Sequence, residues 1–297
     1  MKSCVLLTMD NMNDFECYDS LLIEPLEQLG WRAEEISWRT TRVDWNQFDA
    51  VIIRSPWDYQ DDSDAFMSVL KEIEKSNAVL LNCIDLVAWN INKKYLAELE
   101  KNGILIVPTV WGCDYSQKFI ESAIEIFKEK ELIVKPCVSA GASDTFRLNF
   151  ETDIIDHEKL ETLFTDRDFM IQPFVSAIVD EGEYSLFYFN REYSHAILKK
   201  PYENDFRVQE EFGSHLSLIE PERLLTETAK EVLTAIPYET LYARLDFVRL
   251  KTDTKEEQFA LMEAELIEPS LYFNMDSQSA ERFALAFVRH YEKLQLL

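Results

Sequence analysis

Two apolar segments near the end of this chain carry carboxylates where a strand would bury its side chains. They lie within the stretch from Tyr242 to Phe273, with Asp246 in the first segment and Glu263 and Glu265 two positions apart in the second. Strand alternation places these two glutamates on one face. Because a carboxylate inside an apolar strand is costly to desolvate unless positive charge lies against it, the pattern predicts a divalent cation. Mg²⁺ is the first candidate, with room for two ions, and an ordinary acidic strand facing solvent is the alternative.

The charge of the whole chain limits the partners that it can attract. Its 297 residues carry a net charge of -25, and the acids are spread along the chain rather than gathered in one block. Such a charge opposes binding to nucleic acid and to anionic lipid. We therefore expect a small-molecule partner, no nucleic acid and no membrane, while the sequence leaves a homo-oligomer open. An anionic nucleotide would need a local basic pocket, which makes the few lysines beside turns candidates.

The cysteines and the start of the chain bear on the cellular compartment. Five cysteines are scattered without CxxC spacing, which argues against a disulfide framework and a zinc site. The apolar run from Val5 to Met9 is broken by Asp10 and lacks the length and cleavage site of a secretory signal, and no segment reaches the length of a membrane span. We expect a cytoplasmic protein.

Short apolar runs alternate with amphipathic stretches through the first third of the chain. This alternation predicts a parallel α/β unit over residues 1–100. A second unit is expected over 101–175, with a helix around Gln117 to Phe127. A third unit over 176–297 contains a hairpin from Tyr184 to Leu198, the acidic strand pair and a closing helix. The predicted fold class is α/β, with α+β character in the C-terminal part.

Ligand contacts in a parallel α/β unit fall where its strands end. The polar and aromatic residues at two such ends of the first unit are Thr8, Asp10, Arg54, Trp57, Asp58 and Tyr59. They are candidates for substrate contacts. A turn anchored by tryptophan and holding a structural ion pair is the alternative.

Two lysine positions lie beside features that suit a phosphate group. Lys135 ends an apolar strand and is followed by a turn of small residues, Ser139, Ala140, Gly141, Ala142 and Ser143. Backbone amides in such a turn can close over phosphate oxygens. Lys93 and Lys94 lie near the first turn of a helix, where positive charge opposes the helix dipole unless an anion binds there. Surface lysines and an ordinary flexible turn are the alternative.

The apolar strand from Phe169 to Ile171 stops at a proline, so the backbone just beyond it lacks a ladder partner on one side. Gln172, Pro173 and Phe174 therefore offer a free edge that suits an adenine ring. A strand that ends at a crossing between two units is the alternative.

Several phrases of the sequence are informative as an ordered set. They are RSPWDY, VKP with SAGASDTFR, QPF, GEYSLF, DFRVQEEFG and LMEAELIEPSLYF. Together they resemble the ATP-grasp superfamily, and within it the cycloserine-synthetase-like branch, which is related to the ATP-binding domains of glutathione synthetases. The resemblance covers essentially the whole chain. It implies an ATP-grasp fold in residues 101–297, preceded by a parallel α/β (pre-ATP-grasp) domain on the substrate side.

The resemblance also implies how ATP is held. Lys93 and Lys135 would contact the phosphates, with Lys94 as a substitute for Lys93. The loop from Ser139 to Ser143 would cover these phosphates. Backbone from Gln172 to Phe174 would bind the adenine ring.

Acidic residues receive two roles from the resemblance. Glu183 would bind the ribose hydroxyls, with Glu181 as the fallback. Asp246, Glu263 and Glu265 match the magnesium ligands of the superfamily, with Glu263 placed to bridge two ions and Mn²⁺ as an alternative metal. Many relatives have asparagine where Glu265 stands, but a carboxylate also ligates Mg²⁺ through oxygen, so the departure alters local charge more than mechanism.

Two arginines are implied to act on the transferring group. Arg207 resembles the arginine on a loop that closes over the transferred phosphate. Arg244 lies two residues before Asp246 on the same strand face and can offset charge on that group, with a salt bridge to neighbouring acids as the alternative. Relatives often have a glycine pair after the Arg207 segment, whereas Gly213 is followed here by Ser214, which leaves the conformation of that loop open.

The function implied by the resemblance is an ATP-dependent ligase. A small-molecule carboxylate would be activated as an acyl phosphate, an amine or similar nucleophile would attack it, and ADP and phosphate would be released. A ring-closing version, in which one substrate supplies both groups, stays open. The alternatives are a nucleotide-binding regulatory or interaction protein without turnover, and a phosphotransferase acting on a non-carboxylate acceptor.

Overall fold

The computed structural model describes residues 1–13, 15–203, 205–251 and 257–296, and its first part is a parallel sheet with helices on both faces. The elements are β1 (Lys2–Thr8), α1 (Ile23–Gln28), β2 (Trp31–Ser37), β3 (Ala50–Ser55), α2 (Ser63–Glu74), β4 (Val79–Leu81), α3 (Ile84–Asn90) and α4 (Tyr95–Lys101). The strands are parallel in the order β2-β1-β3-β4. Helices cover both faces, so the central strand β3 is buried along its whole length.

The second sheet is antiparallel and lies in the middle of the chain. Its elements are β5 (Val110–Gly112), α5 (Gln117–Phe127), β6 (Glu131–Pro136), β7 (Phe146–Asn149), α6 (His157–Phe164) and β8 (Phe169–Pro173). The strand order is β5-β8-β6-β7. Both helices begin with a side-chain cap, since Ser116 accepts from the amide of Phe119 and Asp156 accepts from that of Lys159.

The third sheet is antiparallel and carries the acidic strand pair. Its elements are α7 (Ala177–Asp180), β9 (Glu183–Phe189), β10 (Glu192–Lys200), β11 (His215–Leu218), α8 (Arg223–Ala235), β12 (Tyr242–Lys251), β13 (Glu257–Glu265) and α9 (Ser279–Leu294). The strand order is β11-β10-β9-β12-β13. On the outer side of β13 the backbone of the connecting chain pairs with it at Ile106 and Leu261.

One apolar core joins the first sheet to the third. Leu6 of β1, Phe187 of β9 and Tyr242 of β12 belong to the same cluster of buried side chains. Phe283 of α9 contributes to it with its ring 5.2 Å from that of Phe189, centroid to centroid. The packing therefore fixes the first sheet against the back of the acidic strand pair.

The predicted fold class is confirmed, with an α/β N-terminal sheet and mixed α/β architecture beyond it. The hairpin predicted from Tyr184 to Leu198 is formed by β9 and β10, and the helix predicted at Gln117 to Phe127 has those bounds. All five cysteines are free thiols. None of the helices in the described ranges is long and apolar enough to cross a membrane. The division at residues 100 and 175 stays a prediction.

Candidate active site

A cavity of about 490 Å³ lies between the second and third sheets and reaches the first. Its walls come from β6 and β8 on one side, from β12 and β13 on the other, and from the segments that follow β3 and β10. The sequence-predicted site residues among its lining are Trp57, Tyr59, Lys93, Lys135, Ser139, Ala140, Gly141, Ala142, Ser143, Gln172, Pro173, Phe174, Glu183, Arg207, Arg244, Glu263 and Glu265. Residues far apart in the sequence thus meet around one space.

The acidic strand pair places carboxylates and an arginine opposite one another. Asp246 of β12 pairs with Glu263 of β13, and Arg244 pairs with Glu265. The Arg244 guanidinium lies 3.0 Å from the Asp246 carboxylate and also contacts Glu265, while the Lys93 ammonium lies 2.9 Å from Glu263. Asp246 is buried behind the cavity lining. Both glutamate side chains are 27% exposed, so they remain open to a ligand.

Burial and neighbouring charge set the pKa values of these acids in opposite directions. Burial raises the pKa of Glu265 to about 7, because Arg244 only partly offsets it and the charges of Asp246 and Glu263 add to it. Burial also opposes ionisation of Glu263, but Lys93 and Lys135 outweigh it and hold the pKa of Glu263 below its usual value. Burial and local charge therefore separate the pKa values of the two glutamates of β13.

The edge of β13 is held in place by side chains of the first 100 residues. The backbone amide of Ala264, between the two glutamates, donates to the Tyr95 hydroxyl at 2.8 Å. The Asn90 side-chain amide donates to the carbonyl of Ala264 at 2.9 Å, and its oxygen accepts from the amide of Leu266 at 3.1 Å. These bonds satisfy backbone groups that would otherwise be buried without partners, and they fix the direction in which Glu263 and Glu265 point.

Lys93 lies in the break between α3 and α4 and connects two walls of the cavity. Its backbone amide donates to the carbonyl of Cys137 at 2.8 Å, and its ammonium donates to the carbonyl of Ser139 at 2.7 Å. The same ammonium pairs with Glu263. Lys94 points elsewhere, to Asp168 at 2.7 Å, so the structure favours Lys93 over Lys94 as the cavity lysine.

The lysine at the end of β6 has a different environment. In the described ranges the Lys135 ammonium forms no ion pair. Burial is the main reason why the pKa of Lys135 lies below its usual value. The residues after it, 139–143, form a turn that we call the small-residue loop, in which the amide of Ser143 donates to the carbonyl of Ala140 at 3.0 Å. Gly141 has a positive φ of 58°, and a Cβ there would meet no atom within 4 Å, so glycine suits the backbone conformation rather than a lack of space.

The last two residues of β8, which follow Ile171, are open on one side, as predicted. β5 pairs with β8 only as far as Ile171, whereas β6 continues alongside Gln172 and Pro173. On the open side the Gln172 side chain donates to Thr109 at 3.0 Å. The amide of Phe174 is already bonded to the carbonyl of Glu131 at 2.9 Å, which leaves its ring to line the cavity.

Glu183 pairs directly across the hairpin with Lys199, a cavity residue that the sequence analysis missed. The two side chains are 2.9 Å apart, and the Lys199 ammonium lies 3.6 Å from Asp246. The signal was present, because Glu183 and Lys199 are register partners of β9 and β10, but it requires the hairpin register to be known. The fallback Glu181 lies outside the cavity lining and pairs with Arg249 at 2.9 Å.

Arg207 lies on the segment after β10 and lines the cavity. Its guanidinium is 2.8 Å from Asp205 and lies 3.6 Å from the centre of the Phe212 ring. The segment is tied to the first part of the chain where the Tyr18 hydroxyl donates to Glu210 at 3.0 Å. Arg207 is therefore presented by a loop rather than by a sheet.

Four of the residues predicted to contact substrate lie outside the cavity lining, which differs from the expectation. The Thr8 hydroxyl donates to the carbonyl of Met9 at 3.1 Å. Asp10 is exposed to solvent outside the cavity. Asp58 accepts from Arg39 at 2.6 Å. Arg54 is only 1% exposed. Each ends or follows a strand as predicted, but its side chain is not part of the cavity lining.

The buried side chain of Arg54 holds the segment that follows β13. It forms an ion pair with buried Asp19 at 3.1 Å and donates to the carbonyl of Pro269 at 3.0 Å. Trp57 donates to the carbonyl of Glu268 at 2.8 Å, and the Tyr242 hydroxyl shares its proton between the carbonyls of Ile53 at 2.6 Å and Ile267 at 2.8 Å. Side chains therefore contact three consecutive carbonyls of this segment.

Glu268, which those bonds present to the cavity, was not singled out in the sequence. Burial and the nearby charge of Glu265 raise the pKa of Glu268 to about 8. Tyr59 lies against its carboxyl group and lines the same part of the cavity. Glu268 lies three residues after Glu265, just beyond the end of β13, where the backbone bends. The alternation of the strand therefore does not extend to Glu268 and gave no signal for it. We call the part of the cavity lined by Trp57, Tyr59, Gln60 and Glu268 the acceptor end.

Comparison with known proteins is in agreement with this architecture. The family described as the N-terminal domain of D-cycloserine synthetase DcsG matches residues 4–82. The cycloserine biosynthesis protein DcsG of Streptomyces lavendulae is 27% identical over 278 residues, which cover 89% of this chain and 91% of that protein.

Solved structures extend the agreement to the whole chain. The crystal structure of D-cycloserine synthetase DcsG is 25% identical, with a TM-score of 0.83 over 97% of this chain and 99% of that one. The D-alanine–D-alanine ligase of Bacillus anthracis shares the fold at 11% identity, with a TM-score of 0.66 over 99% of this chain and 98% of the other. The fold and these relatives define an ATP-grasp enzyme. The chain has the ATP-grasp fold, and its similarity to these proteins indicates an ATP-grasp ligase.

Proposed function

We propose that the chain activates a small-molecule carboxylate with ATP and joins it to a nitrogen or similar nucleophile, releasing ADP and phosphate. The observation that carries the proposal is the meeting of Lys93, Lys135, the small-residue loop and the two glutamates of β13 around one cavity. Cations and turn amides suit a polyphosphate, and carboxylates suit the metal that accompanies it. The nucleophile belongs either to a second molecule or to the same substrate, in which case a ring closes.

The proposed metal ligands fit Mg²⁺ by their chemistry. Asp246, Glu263 and Glu265 offer only carboxylate oxygens, which Mg²⁺ prefers. Within the described ranges no three acidic, histidine or cysteine side chains already form a cluster that could hold a metal. Lys93 forms an ion pair with Glu263, and Arg244 forms one with Glu265. In the proposed complex both cations exchange carboxylate partners for phosphate oxygens.

When bound, Mg²⁺ would reduce the repulsion between the polyphosphate and the attacking carboxylate. The protein supplies positioning and charge. We propose that Lys135 binds the phosphates from the strand side, that the small-residue loop covers them with its amides, and that Arg244 and Arg207 offset charge on the transferring phosphoryl group. Lys199 holds Glu183 and Asp246 in place. No protein nucleophile is needed.

The proposed reaction has two steps. First an oxygen of the substrate carboxylate bonds to the γ-phosphorus of ATP, and the bond from that phosphorus to the bridging oxygen breaks as ADP leaves. The nitrogen nucleophile then bonds to the acyl carbon, the carbon–oxygen bond to phosphate breaks, and the proton lost from nitrogen goes to phosphate or solvent. The overall products are the ligated compound, ADP and phosphate.

The test measures ADP and phosphate release from Mg-ATP across a panel of amino acids and simple carboxylates. Release should require one carboxylate and fall roughly 10³-fold in Glu263→Gln, because a ligand and a countercharge for Lys93 are both lost. Glu231→Gln, on the exposed face of α8, is the matched control and should retain full activity. A fully active Glu263→Gln protein would refute the metal assignment. A stable phosphorylated acceptor would indicate a phosphotransferase, and tight ATP binding without release would indicate a regulatory protein.

A further inference from the structure

The small-residue loop has a backbone conformation that its sequence does not favour by itself. Gly141, Ala142 and Asp144, the last of which directly follows the loop, have φ values of 58°, 56° and 53°. Glycine adopts this left-handed conformation readily, whereas Ala142 and Asp144 adopt it at a cost in free energy. Such a conformation persists only where surrounding structure holds it. Contacts from outside the loop therefore determine where it lies.

One of these contacts is an ion pair behind the loop. The Arg167 guanidinium donates to the Asp144 carboxylate, with 2.7 Å between Nη1 and Oδ2. Arg167 belongs to residues 165–168, which connect α6 to β8 and which we call the α6–β8 turn. Neither Asp144 nor Arg167 lines the central cavity, although Ser143 and Thr145 on either side of Asp144 do. The ion pair thus contacts the loop from the side that faces away from the cavity.

The α6–β8 turn also contacts the other elements that suit a phosphate group. The carbonyl of Asp168 accepts from the amide of Cys137, just before the loop, at 2.9 Å. The Asp168 carboxylate pairs with Lys94, the neighbour of Lys93 in the sequence, at 2.7 Å. The turn is therefore fixed relative to the end of β6 and to the Lys93 segment. Arg167 connects this fixed position to the far end of the loop.

Polar contacts hold the turn and the loop together. The turn consists of Thr165, Asp166, Arg167 and Asp168, all of which are polar and none of which is buried. A surface cavity of about 520 Å³ lies between this turn, Asn92 and Val138. The side chains of Arg167 and Asp144 are 35% and 34% exposed, so their attraction is open to screening by salt. The position of the loop should therefore depend on ionic strength.

We propose that Arg167 is a positioning residue for ATP, which through Asp144 holds the small-residue loop where it covers the phosphates. The inference rests on the proposed function, which assigns the loop to these phosphates, and adds two residues that do not touch the nucleotide. A loop that is already held in place loses less conformational freedom when ATP binds. The ion pair should therefore strengthen ATP binding and leave the chemical step unchanged.

The experiment compares a ligand that carries phosphates with one that lacks them. Dissociation constants of a non-hydrolysable ATP analogue and of adenosine are measured by calorimetry on the full-length protein with Mg²⁺. At low salt, Arg167→Gln should raise the Kd of the analogue roughly three- to fivefold, as expected for an exposed ion pair, and leave that of adenosine unchanged. The KM for ATP should rise by the same factor at constant kcat. The difference from wild type should shrink between about 0.05 and 0.5 M NaCl.

Further variants assign the effect to the ion pair. Asp144→Asn removes the charge, and because asparagine tolerates left-handed backbone, a loss of affinity reports the pair rather than added strain. The double variant should bind the analogue no more weakly than the more affected single variant. Lys130→Gln removes an exposed ion pair with Glu151 at the other end of the β6–β7 hairpin and is the matched control, which should behave as wild type. Thermal unfolding identifies any variant that fails to fold, and Asp144→Asn decides the point if Arg167→Gln does.

Four results would overturn the inference. Unchanged affinity for the analogue in Arg167→Gln at low salt would do so and leave the ligase proposal intact. Equal losses of affinity for the analogue and for adenosine would make Arg167 a general structural residue. Additive losses in the double variant would show that Arg167 and Asp144 act separately. A wild-type protein that binds the analogue no more tightly than adenosine would overturn both this inference and the phosphate site of the proposed function.

Discussion

The two ends of the cavity differ in the ionisable group that each leaves without an ion-pair partner in the described ranges. Near the small-residue loop this group is the amine of Lys135, and at the acceptor end it is the carboxyl group of Glu268. Burial lowers the pKa of Lys135 and raises that of Glu268, so it disfavours the charged form of both groups. The two ends therefore respond in opposite directions to a change of pH.

The two ends also differ in how the protein supports them. Lys135 lies on the regular strand β6, where β8 pairs with it at Met170 and β7 pairs with the strand as far as Val134. Glu268 lies beyond the end of β13 on irregular backbone, held by Arg54, Trp57 and Tyr242. A strand supports Lys135 through backbone bonds that most sequences can make, whereas the acceptor end depends on particular side chains. Changes behind the two ends should therefore have different consequences.

The largest effect is expected from Arg54→Met, which removes the buried cation behind the acceptor end. Asp19 is 4% exposed and would be left as an unpaired buried charge. We expect the free energy of unfolding to fall by about 3–5 kcal/mol, measured by denaturant titration. The double variant Arg54→Met with Asp19→Asn should recover part of this loss. If the Arg54→Met protein were as stable as wild type and only its KM for substrate rose, Arg54 would contact the substrate directly, as the sequence analysis predicted.

Lys135→Met tests the other end and should separate activity from stability. The loss of the cation should lower kcat/KM for ATP roughly 10²- to 10³-fold, as for other preorganised charges at a reacting phosphate or oxyanion. The free energy of unfolding should stay the same or rise, because burial already disfavours the Lys135 ammonium.

The control for Lys135→Met is Lys118→Met on the exposed face of α5. It should leave both ATP kinetics and stability unchanged. If Lys135→Met lost stability while retaining its KM for ATP, Lys135 would be a structural residue and the contrast between the two ends would fail.

The sequence predicted the phosphate side of the cavity better than the acceptor end. Lys135, the small-residue loop and the β13 glutamates follow strands or alternate along them, so local patterns place them correctly relative to their own element. The structure then brings these elements around one cavity. The pairing of Glu183 with Lys199 was missed only because it depends on the hairpin register.

The acceptor end could not be read in the same way. Arg54 was expected to contact substrate because it ends a strand, yet its guanidinium turns inward to Asp19 and to the carbonyl of Pro269, 215 residues later in the sequence. Glu268 follows a strand on irregular backbone, where no periodicity applies. Contacts between distant segments determine both positions, and a local pattern carries no information about them.

A smaller effect is expected in how the free energy of unfolding depends on pH, because the carboxyl group of Glu268 titrates differently in the folded and unfolded states. The pKa of Glu268 is raised from its ordinary 4.5 to about 8, chiefly by burial. The folded protein then holds a proton that the unfolded chain releases, so the stabilisation is complete below pH 4.5 and is lost as the pH rises through 8. Between pH 5 and 8 the free energy of unfolding without ligand should fall more steeply for wild type than for Glu268→Gln, by at most about 1.4 kcal/mol per pH unit. The free energy of unfolding is measured by denaturant titration at each pH. If it changed with pH equally in the two proteins, Glu268 would already be solvated or paired.

The smallest effect is expected from Trp57→Phe, which keeps an aromatic ring at the acceptor end and removes one hydrogen bond to the carbonyl of Glu268. A neutral hydrogen bond contributes about 1 kcal/mol, so the KM for the carboxylate substrate should rise roughly fivefold. The KM for ATP should not change, because nothing in the phosphate side depends on that bond. Trp45→Phe, whose ring is buried in the first sheet's core away from the cavity, is the matched control. If the KM for ATP and the KM for substrate both rose in Trp57→Phe, the segment at Glu268 would also position the residues of the phosphate side. The two ends of the cavity would then be one cooperative unit.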